Sequence, residues 1–164
     1  LAGSCGLRSI EQLVAFEAER PVYPIALDRD IDPAEEIARA VTFALQHIEL
    51  GPVAIATSAN PQALAAAQAR HGQKGAAALA ETILAGAAVA LRDAGVRRFL
   101  IAGGETSGAV CDALGVTRLT VGAQEVAGVA RVVSEGATPL ALCLKSGKLG
   151  PRDMFLPMLA QMER

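Results

Sequence analysis

The chain is poor in aromatic side chains, and this scarcity restricts both its core and its partners. Aromatic residues make up 3% of the 164 residues, with no Trp and one Tyr. Proteins that bind nucleic acid commonly combine aromatic stacking platforms with a basic surface, whereas the net charge here is −2. We therefore expect no nucleic-acid partner, and a core built from the aliphatic part of the 52% hydrophobic residues.

Cysteines and long hydrophobic runs are scarce as well. Cys5, Cys111 and Cys143 are far apart and form no CxxC pair, which is typical of small buried residues in a reducing compartment. We therefore expect a cytoplasmic protein. The stretch 75–90 is apolar, but Glu81 interrupts it and most of it is Ala and Gly. We predict no membrane-spanning segment and no membrane partner.

Sequence signatures of several enzyme classes are also missing. The sequence contains no GxxxxGKS/T phosphate loop, no GxGxxG, no GxSxG, no HExxH and no zinc cluster. His47 and His71 lie at predicted helix ends, where the helix dipole favours a histidine, so a Ser-His-Asp hydrolase is not expected. The chain begins at Leu1 within a predicted strand end and has no leader pattern, so we interpret residues 1–164 as one domain of a longer protein.

Apolar runs and helix signals alternate along the sequence. Asp32 is a suitable N-cap for a helix that starts at Pro33, and the Ser9/Gln12 spacing is that of a capping box for an earlier helix whose apolar face includes Val14. The predicted strands are 22–27, 53–57, 99–102, 119–122 and 140–144. This alternation predicts an α/β fold with a mostly parallel, doubly wound sheet and helices on both faces, in three layers.

An Ala-rich helix is predicted over 75–94, with Gly95 as its C-terminal cap. The many small side chains of this helix would let another element approach closely. That element is either the sheet of the same chain or the surface of a second copy, so a homodimer stays open at this point.

A glycine turn between a predicted strand and a predicted helix, residues 101–108, is the first candidate site. Gly103 and Gly104 leave backbone N–H groups facing outward, and the dipole of the following helix favours an anion such as phosphate. Thr106 is a suitable N-cap, and its hydroxyl would serve either the helix or a ligand. An ordinary strand-to-helix turn would use the same residue types, so the turn alone leaves both interpretations open.

Two further turns of small residues, 3–6 and 145–150, also follow predicted strands. In a parallel sheet the carboxyl ends of the strands lie along one edge, where ligands bind. We therefore expect the three turns to form one phosphate site. In this site Lys145 would neutralise a β- or γ-phosphate, and Ser146 and Gly147 would donate to it. A lysine exposed to solvent is the alternative interpretation of Lys145.

Glu105 and Asp153 are the candidate ligands for Mg²⁺, a cation that protein carboxylates bind together with water and nucleotide phosphates. Acidic residues near the start of a helix are also stabilising without any metal, and both residues lie at such positions. No residue stands out as a catalytic base, so the catalytic residues stay unknown.

The combined motifs resemble those of one enzyme family along nearly the whole chain. In order, they are Gly3-Ser-Cys5 with Gln12, Gly103-Gly-Glu-Thr-Ser-Gly-Ala-Val110, Ala113-Leu-Gly-Val116, Leu142-Cys-Leu-Lys-Ser-Gly147, Gly150 and Asp153-Met-Phe155. The sequence is similar to the nucleotide-binding C-terminal domain of the four-carbon acid sugar kinases, which include 3-oxo-tetronate, threonate and erythronate kinases.

The resemblance implies an ATP-dependent kinase of two domains. An N-terminal domain would bind the acid sugar, and this domain would bind ATP or ADP with Mg²⁺. By position, the residues that would line the nucleotide are Ser4, Gly103, Gly104, Glu105, Thr106 and Gly147, with Gly6 and Gly150 in the same turns. Two positions depart from the family pattern, because Gly6 replaces the usual Ser and Lys148-Leu149 replaces the usual Asn-Phe.

Two other functions stay open. A non-catalytic module that binds a nucleotide or a sugar phosphate would use the same turns, and the departures at Gly6 and Lys148 favour it. A dinucleotide-dependent oxidoreductase is the weaker alternative, because GxGxxG and a suitably placed acidic residue are missing.

Overall fold

A computed structural model describes residues 1–57, 61–122 and 126–162. The elements in chain order are α1 (Leu7–Glu17), β1 (Val22–Ile25), α2 (Pro33–His47), β2 (Ala54–Thr57), α3 (Pro61–Asp93), β3 (Arg98–Ala102), α4 (Gly104–Ala113), β4 (Leu119–Val121), β5 (Val129–Ser134), β6 (Ala141–Lys145) and α5 (Phe155–Gln161), with a 3₁₀ turn at Ile48–Leu50. Strands and helices alternate up to α4, as the sequence predicts, and three strands then follow before α5.

The strands form one mixed sheet in which the N-terminal segment lies between β2 and β3. Ala2 bridges Ala56 of β2 and Ala102 of β3, both in parallel, and so joins the ladder β1–β2 to the ladder β3–β6–β5–β4. β1 pairs with β2, and β3 with β6, in parallel, whereas β5 pairs antiparallel with both β6 and β4. The predicted, mostly parallel sheet is confirmed, with an antiparallel extension that its short connections require.

Helices cover both faces of this sheet. Alternate residues of each central strand point to opposite faces. Ile101 and Leu142 belong to a core shared with α2, α3 and α4, which we call the α3 face. Leu100 and Cys143 belong to a second core shared with α1 and α5, which we call the α1 face. The predicted three-layer arrangement is therefore confirmed.

The two predicted helix starts have different outcomes. Asp32 caps α2, because its Oδ1 accepts from the N–H groups of Ala34 (2.8 Å) and Glu35 (3.4 Å). The capping box predicted at Ser9 is wrong, since α1 already begins at Leu7 and has no side-chain cap. The predicted apolar face of α1 is also wrong at Val14, which is 52% exposed, whereas polar side chains occupy part of the buried face.

The Ala-rich helix belongs to α3, which Gly72 interrupts with φ +69° and ψ 161°. By length and mean hydropathy, α3 is the one helix in the described part of the chain that could cross a membrane. Here Ile83, Leu84 and Leu91 are buried in the core of the α3 face, where the helix packs on α2 and α4. This packing uses small side chains such as Ala87 within one chain, and the homodimer stays a prediction.

Candidate functional site

Three neighbouring strand ends lie side by side, and each continues into one of the predicted turns. Ala2, Ala102 and Lys145 are in register across the N-terminal segment, β3 and β6. The pairing extends into the turns, because the Gly3 N–H donates to Ala102 O (3.1 Å) and the Gly103 N–H to Lys145 O (2.9 Å). The three turns therefore leave the sheet at the same edge.

The helices that follow two of these strand ends cover opposite faces of the sheet. α1 follows the N-terminal segment and covers the α1 face, whereas α4 follows β3 and covers the α3 face. Such a switch point opens a crevice at the carboxyl ends of the strands, where ligands bind in α/β proteins. Within the described residues no side chain caps either helix, although Gly147 O accepts from the Ser9 N–H of α1. The other N–H groups at the two helix starts give the crevice a partial positive charge.

Ser4 lies where the three turns meet. Its hydroxyl accepts from the Gly6 N–H (3.1 Å), and a Cβ at Gly147 would overlap it. A Cβ at Gly103 would lie 3.4 Å from the Ser4 Cβ and 2.9 Å from the Thr106 Oγ1, and Gly103 also has φ +127°. The backbone conformation at 103 therefore favours glycine, and a side chain at 147 would displace the Ser4 hydroxyl. The expected convergence of the turns is confirmed.

The helix after the first candidate turn starts earlier than predicted. Gly103 is the N-cap of α4, so Thr106 lies within the first turn and its predicted N-cap role is wrong. Thr106 is 4% exposed and packs against Gly3, where a Cβ would overlap Oγ1. Gly104 and Glu105 are exposed, and no atom lies within 4 Å of the position of a Gly104 Cβ. This end of α4 is therefore open to a ligand.

Lys145 is buried beneath the second turn, so the alternative of a solvent-exposed lysine is wrong. Its side chain is 2% exposed, and Nζ donates to Ser9 Oγ (3.1 Å) and lies 5.9 Å from the centre of the Phe155 ring. Burial lowers the pKa of Lys145 from 10.5 to about 8. No ion pair to Lys145 occurs in the described residues, so its charge lacks an ionic partner among them.

Two polar residues of α1 hold the second turn in place, and sequence reasoning missed both roles. Ser9 donates from its N–H and its hydroxyl to Gly147 O (3.2 and 3.1 Å). Gln12 donates from Nε2 to Leu149 O (3.1 Å) and Pro151 O (2.8 Å). Ser9 and Gln12 are each 1% exposed. Their spacing of three residues puts two polar groups on the buried face of α1, and this is the signal that could have revealed them.

This geometry agrees with a comparison against known protein families. A family described as a nucleotide-binding C-terminal domain matches residues 1–155. The chain belongs to this family. The three turns therefore lie in a nucleotide-binding domain, as the resemblance of the motifs implies.

Individual relatives of this nucleotide-binding domain are longer proteins. The chain is 44% identical over 156 residues to a 3-oxo-tetronate kinase of Methylobacterium radiotolerans, a match that covers 94% of the chain and 37% of the relative. It is 45% identical over 166 residues to a 3-oxo-tetronate kinase of Pseudomonas fluorescens, covering 99% of the chain and 37% of the relative. A solved structure of a Salmonella typhimurium LT2 protein has a TM-score of 0.86 and 31% identity, covering 99% of this chain and 40% of that one. The chain thus spans well under half the length of these proteins.

The remaining predicted site residues of the domain lie around the junction of the turns. Ser146 is exposed on the second turn, where its hydroxyl accepts from the Lys148 N–H (3.4 Å). Gly150, with φ +87°, packs against Met154 and the Gln12 side chain, away from Ser4. Asp153 lines a groove of about 390 Å³ between α1 and α5. The structure therefore places Gly150 and Asp153 beside the junction, on the α1 face.

The two predicted Mg²⁺ ligands are associated with helices on opposite faces. Glu105 lies in the first turn of α4, and Asp153 precedes α5. No cluster of three His, Cys, Asp or Glu side chains occurs among the described residues. Mg²⁺ commonly takes one or two carboxylates and completes its shell with phosphates and water, so either exposed carboxylate suits it chemically.

Proposed function

We propose that this chain is the ATP-binding part of a kinase that phosphorylates the terminal hydroxyl of a four-carbon acid sugar. The observation that carries the proposal is the buried ammonium of Lys145, which lies under the turns and has no carboxylate partner in the described residues. An isolated buried charge is costly unless a counter-charge balances it. Nucleotide phosphates at the junction of the turns would supply that counter-charge.

The same junction offers what phosphoryl transfer requires from a protein. The transferred phosphoryl group must be positioned in line, and its spreading negative charge must be stabilised. The uncapped N–H groups at Gly104 and Glu105, the Ser4 hydroxyl and the charge of Lys145 would hold the phosphates. Mg²⁺ would bind through Glu105 or Asp153 together with the phosphates and would neutralise part of their charge.

A separate N-terminal domain would bind the sugar acid and would supply the catalytic base. Relatives named 3-oxo-tetronate kinase support this division, because the chain matches 37% of the length of each of the two compared above. By itself, the 164-residue chain should therefore bind nucleotide without turning over a sugar acid. The free cysteines fit a cytoplasmic kinase.

A non-catalytic module that binds a nucleotide or a sugar phosphate is the second candidate function. The observation that favours it is Lys148, an exposed cation on the second turn where the resemblance leads one to expect Asn. An assay of ADP release with a panel of tetronates and 3-oxo-tetronates distinguishes the two functions. It uses the chain joined to the sugar-binding part of its own protein, and release without any substrate dependence favours the module.

Nucleotide binding itself is tested by calorimetric titration of the chain with ATP, ADP, AMP and inorganic tripolyphosphate in the presence of Mg²⁺. We expect ATP, ADP and tripolyphosphate to bind, and AMP to bind at least about tenfold more weakly. A hydrogen bond to a charged group contributes roughly 1.5–3 kcal/mol, and AMP lacks the outer phosphates. The absence of heat with all four compounds, or equal affinity for AMP and ADP, would contradict the proposal.

A further inference from the structure

Ser9 connects the buried ammonium to the second turn. Its hydroxyl donates to Gly147 O (3.1 Å) and accepts from Lys145 Nζ (3.1 Å), and its N–H donates to Gly147 O (3.2 Å). A serine hydroxyl has one hydrogen and two lone pairs. Because the hydrogen is directed to Gly147 O, a lone pair faces the ammonium, and this orientation suits the charged form of Lys145.

The other described groups around Lys145 do not accept a hydrogen bond from its ammonium in place of Ser9 Oγ. α5 presents the Phe155 ring, with its centre 5.9 Å from Nζ, and β6 presents Cys143 on the same face. Burial raises the pKa of Cys143 to about 11, so it is a neutral thiol, and Arg131 of β5 adds a positive charge near it. Among the described residues, Ser9 Oγ is the hydrogen-bond acceptor of the ammonium, and no carboxylate faces it.

We infer that Ser9 is a positioning residue that keeps Lys145 charged beneath the turn and fixes Gly147 above it. The nucleotide phosphates would then bind next to an ammonium whose position is already fixed. This inference rests on the proposed function, because the phosphates are its ligand. Ser9 itself is buried and touches the site through Lys145 and Gly147.

The consequence is a change in the pH dependence of nucleotide affinity. Lys145 is a cation below its pKa of about 8, so the affinity of the wild-type chain should fall as the pH rises through this value. Removing the Ser9 oxygen takes away a contact made to the charged form and lowers the pKa further. Nucleotide affinity should then begin to fall at a lower pH than in the wild type.

The experiment measures ADP affinity by calorimetry as a function of pH, above the second phosphate pKa of about 6. For Ser9→Ala we expect the midpoint of the decline to move down by about one pH unit, which means roughly fivefold weaker binding than the wild type at pH 8 and close to tenfold weaker binding at higher pH. Ser9→Thr retains the hydroxyl and should restore the wild-type midpoint. Ser107→Ala is the matched control, because it removes a hydroxyl that donates to Gly103 O (2.7 Å) without contacting Lys145, and its midpoint should not move.

The possible results distinguish a failure of the inference about Ser9 from a failure of the proposed function. If Ser9→Ala weakens ADP binding equally at every pH and leaves the midpoint unchanged, Ser9 has a structural role alone and the inference is overturned. If the wild-type chain binds no ADP at any pH, the proposed function fails instead. Should Ser9→Ala not fold, Ser9→Cys fills the space of the serine with a slightly larger side chain that accepts hydrogen bonds weakly, and the same downward shift is expected.

Discussion

Lys145→Met is expected to weaken ADP binding about 100-fold at pH 7 while making the fold more stable. The loss of affinity follows because the phosphates lose a desolvated cation, an interaction of roughly 1.5–3 kcal/mol. The gain in stability follows because the wild type buries an ammonium that is 2% exposed and has no ion-pair partner in the described residues. Replacing buried ion pairs by apolar side chains of similar volume is often neutral or stabilises a fold by about 1–4 kcal/mol, and for this unpaired ammonium we expect the lower half of that range.

The pH dependence of stability gives this prediction a further signature. The pKa of Lys145 is lowered from 10.5 to about 8, so the cost of burying its charge is fully present below about pH 8. Between these two pKa values the unfolded chain binds the proton that the folded chain has lost, so the wild type becomes more stable as the pH rises. The stability advantage of Lys145→Met should therefore shrink across this interval.

Urea unfolding and ADP calorimetry on the same preparations test both halves of the prediction. Lys74→Met is the control, because Lys74 is an exposed lysine of α3 and should leave both quantities nearly unchanged. Unchanged ADP affinity in Lys145→Met would show that the cation does not act on the nucleotide. A large loss of stability would show that the ammonium is stabilised by a partner in the folded chain, and would contradict the prediction.

Gly104→Ala is expected to weaken ADP binding at least about tenfold without destabilising the fold. Gly104 is the first residue of α4, is exposed, and has no atom within 4 Å of the position that a Cβ would take. Alanine is favoured over glycine in helices by about 1 kcal/mol, so the folded chain should tolerate the methyl group or gain from it. A phosphate packed on the Gly104 N–H would meet the added methyl group and be displaced.

Gly108→Ala is the matched control for this substitution. Gly108 lies one turn further along the same helix, is exposed, and also has no atom within 4 Å of its Cβ position. Its ADP affinity should stay within about twofold of the wild type, and its free energy of unfolding should rise by about 0.5–1 kcal/mol. Equal ADP affinity in the two alanine variants would place the phosphates away from the start of α4.

Local signals were sufficient to predict much of the fold. The Asp32 cap and the alternation of strands and helices both follow from short-range chemistry, and the structure contains each of them. The direction of the β5 pairing does not follow, because strand residues look alike in parallel and antiparallel ladders. The exposure of Val14 was also missed, since the polar partners of the buried face lie more than 130 residues away.

Some features of the candidate site could also be predicted from the sequence, and others could not. That the three turns would meet could be predicted, because they follow strands whose carboxyl ends share an edge. The burial of Lys145 could not, since β6 alternates between two covered faces and the local sequence does not say which face a residue joins. The role of Ser9 depends on the face of the sheet on which the Lys145 side chain lies. It could therefore be recognised only from the structure, in which α1 packs over the end of β6.

A crystal structure of the chain with ADP and Mg²⁺ tests most directly whether the three turns form the phosphate site. We predict that the β-phosphate oxygens accept hydrogen bonds from the N–H groups at the start of α4 and lie beside Gly147, above the Lys145 ammonium. Phosphates bound away from Ser4, for example in the groove between α1 and α5, would contradict the account.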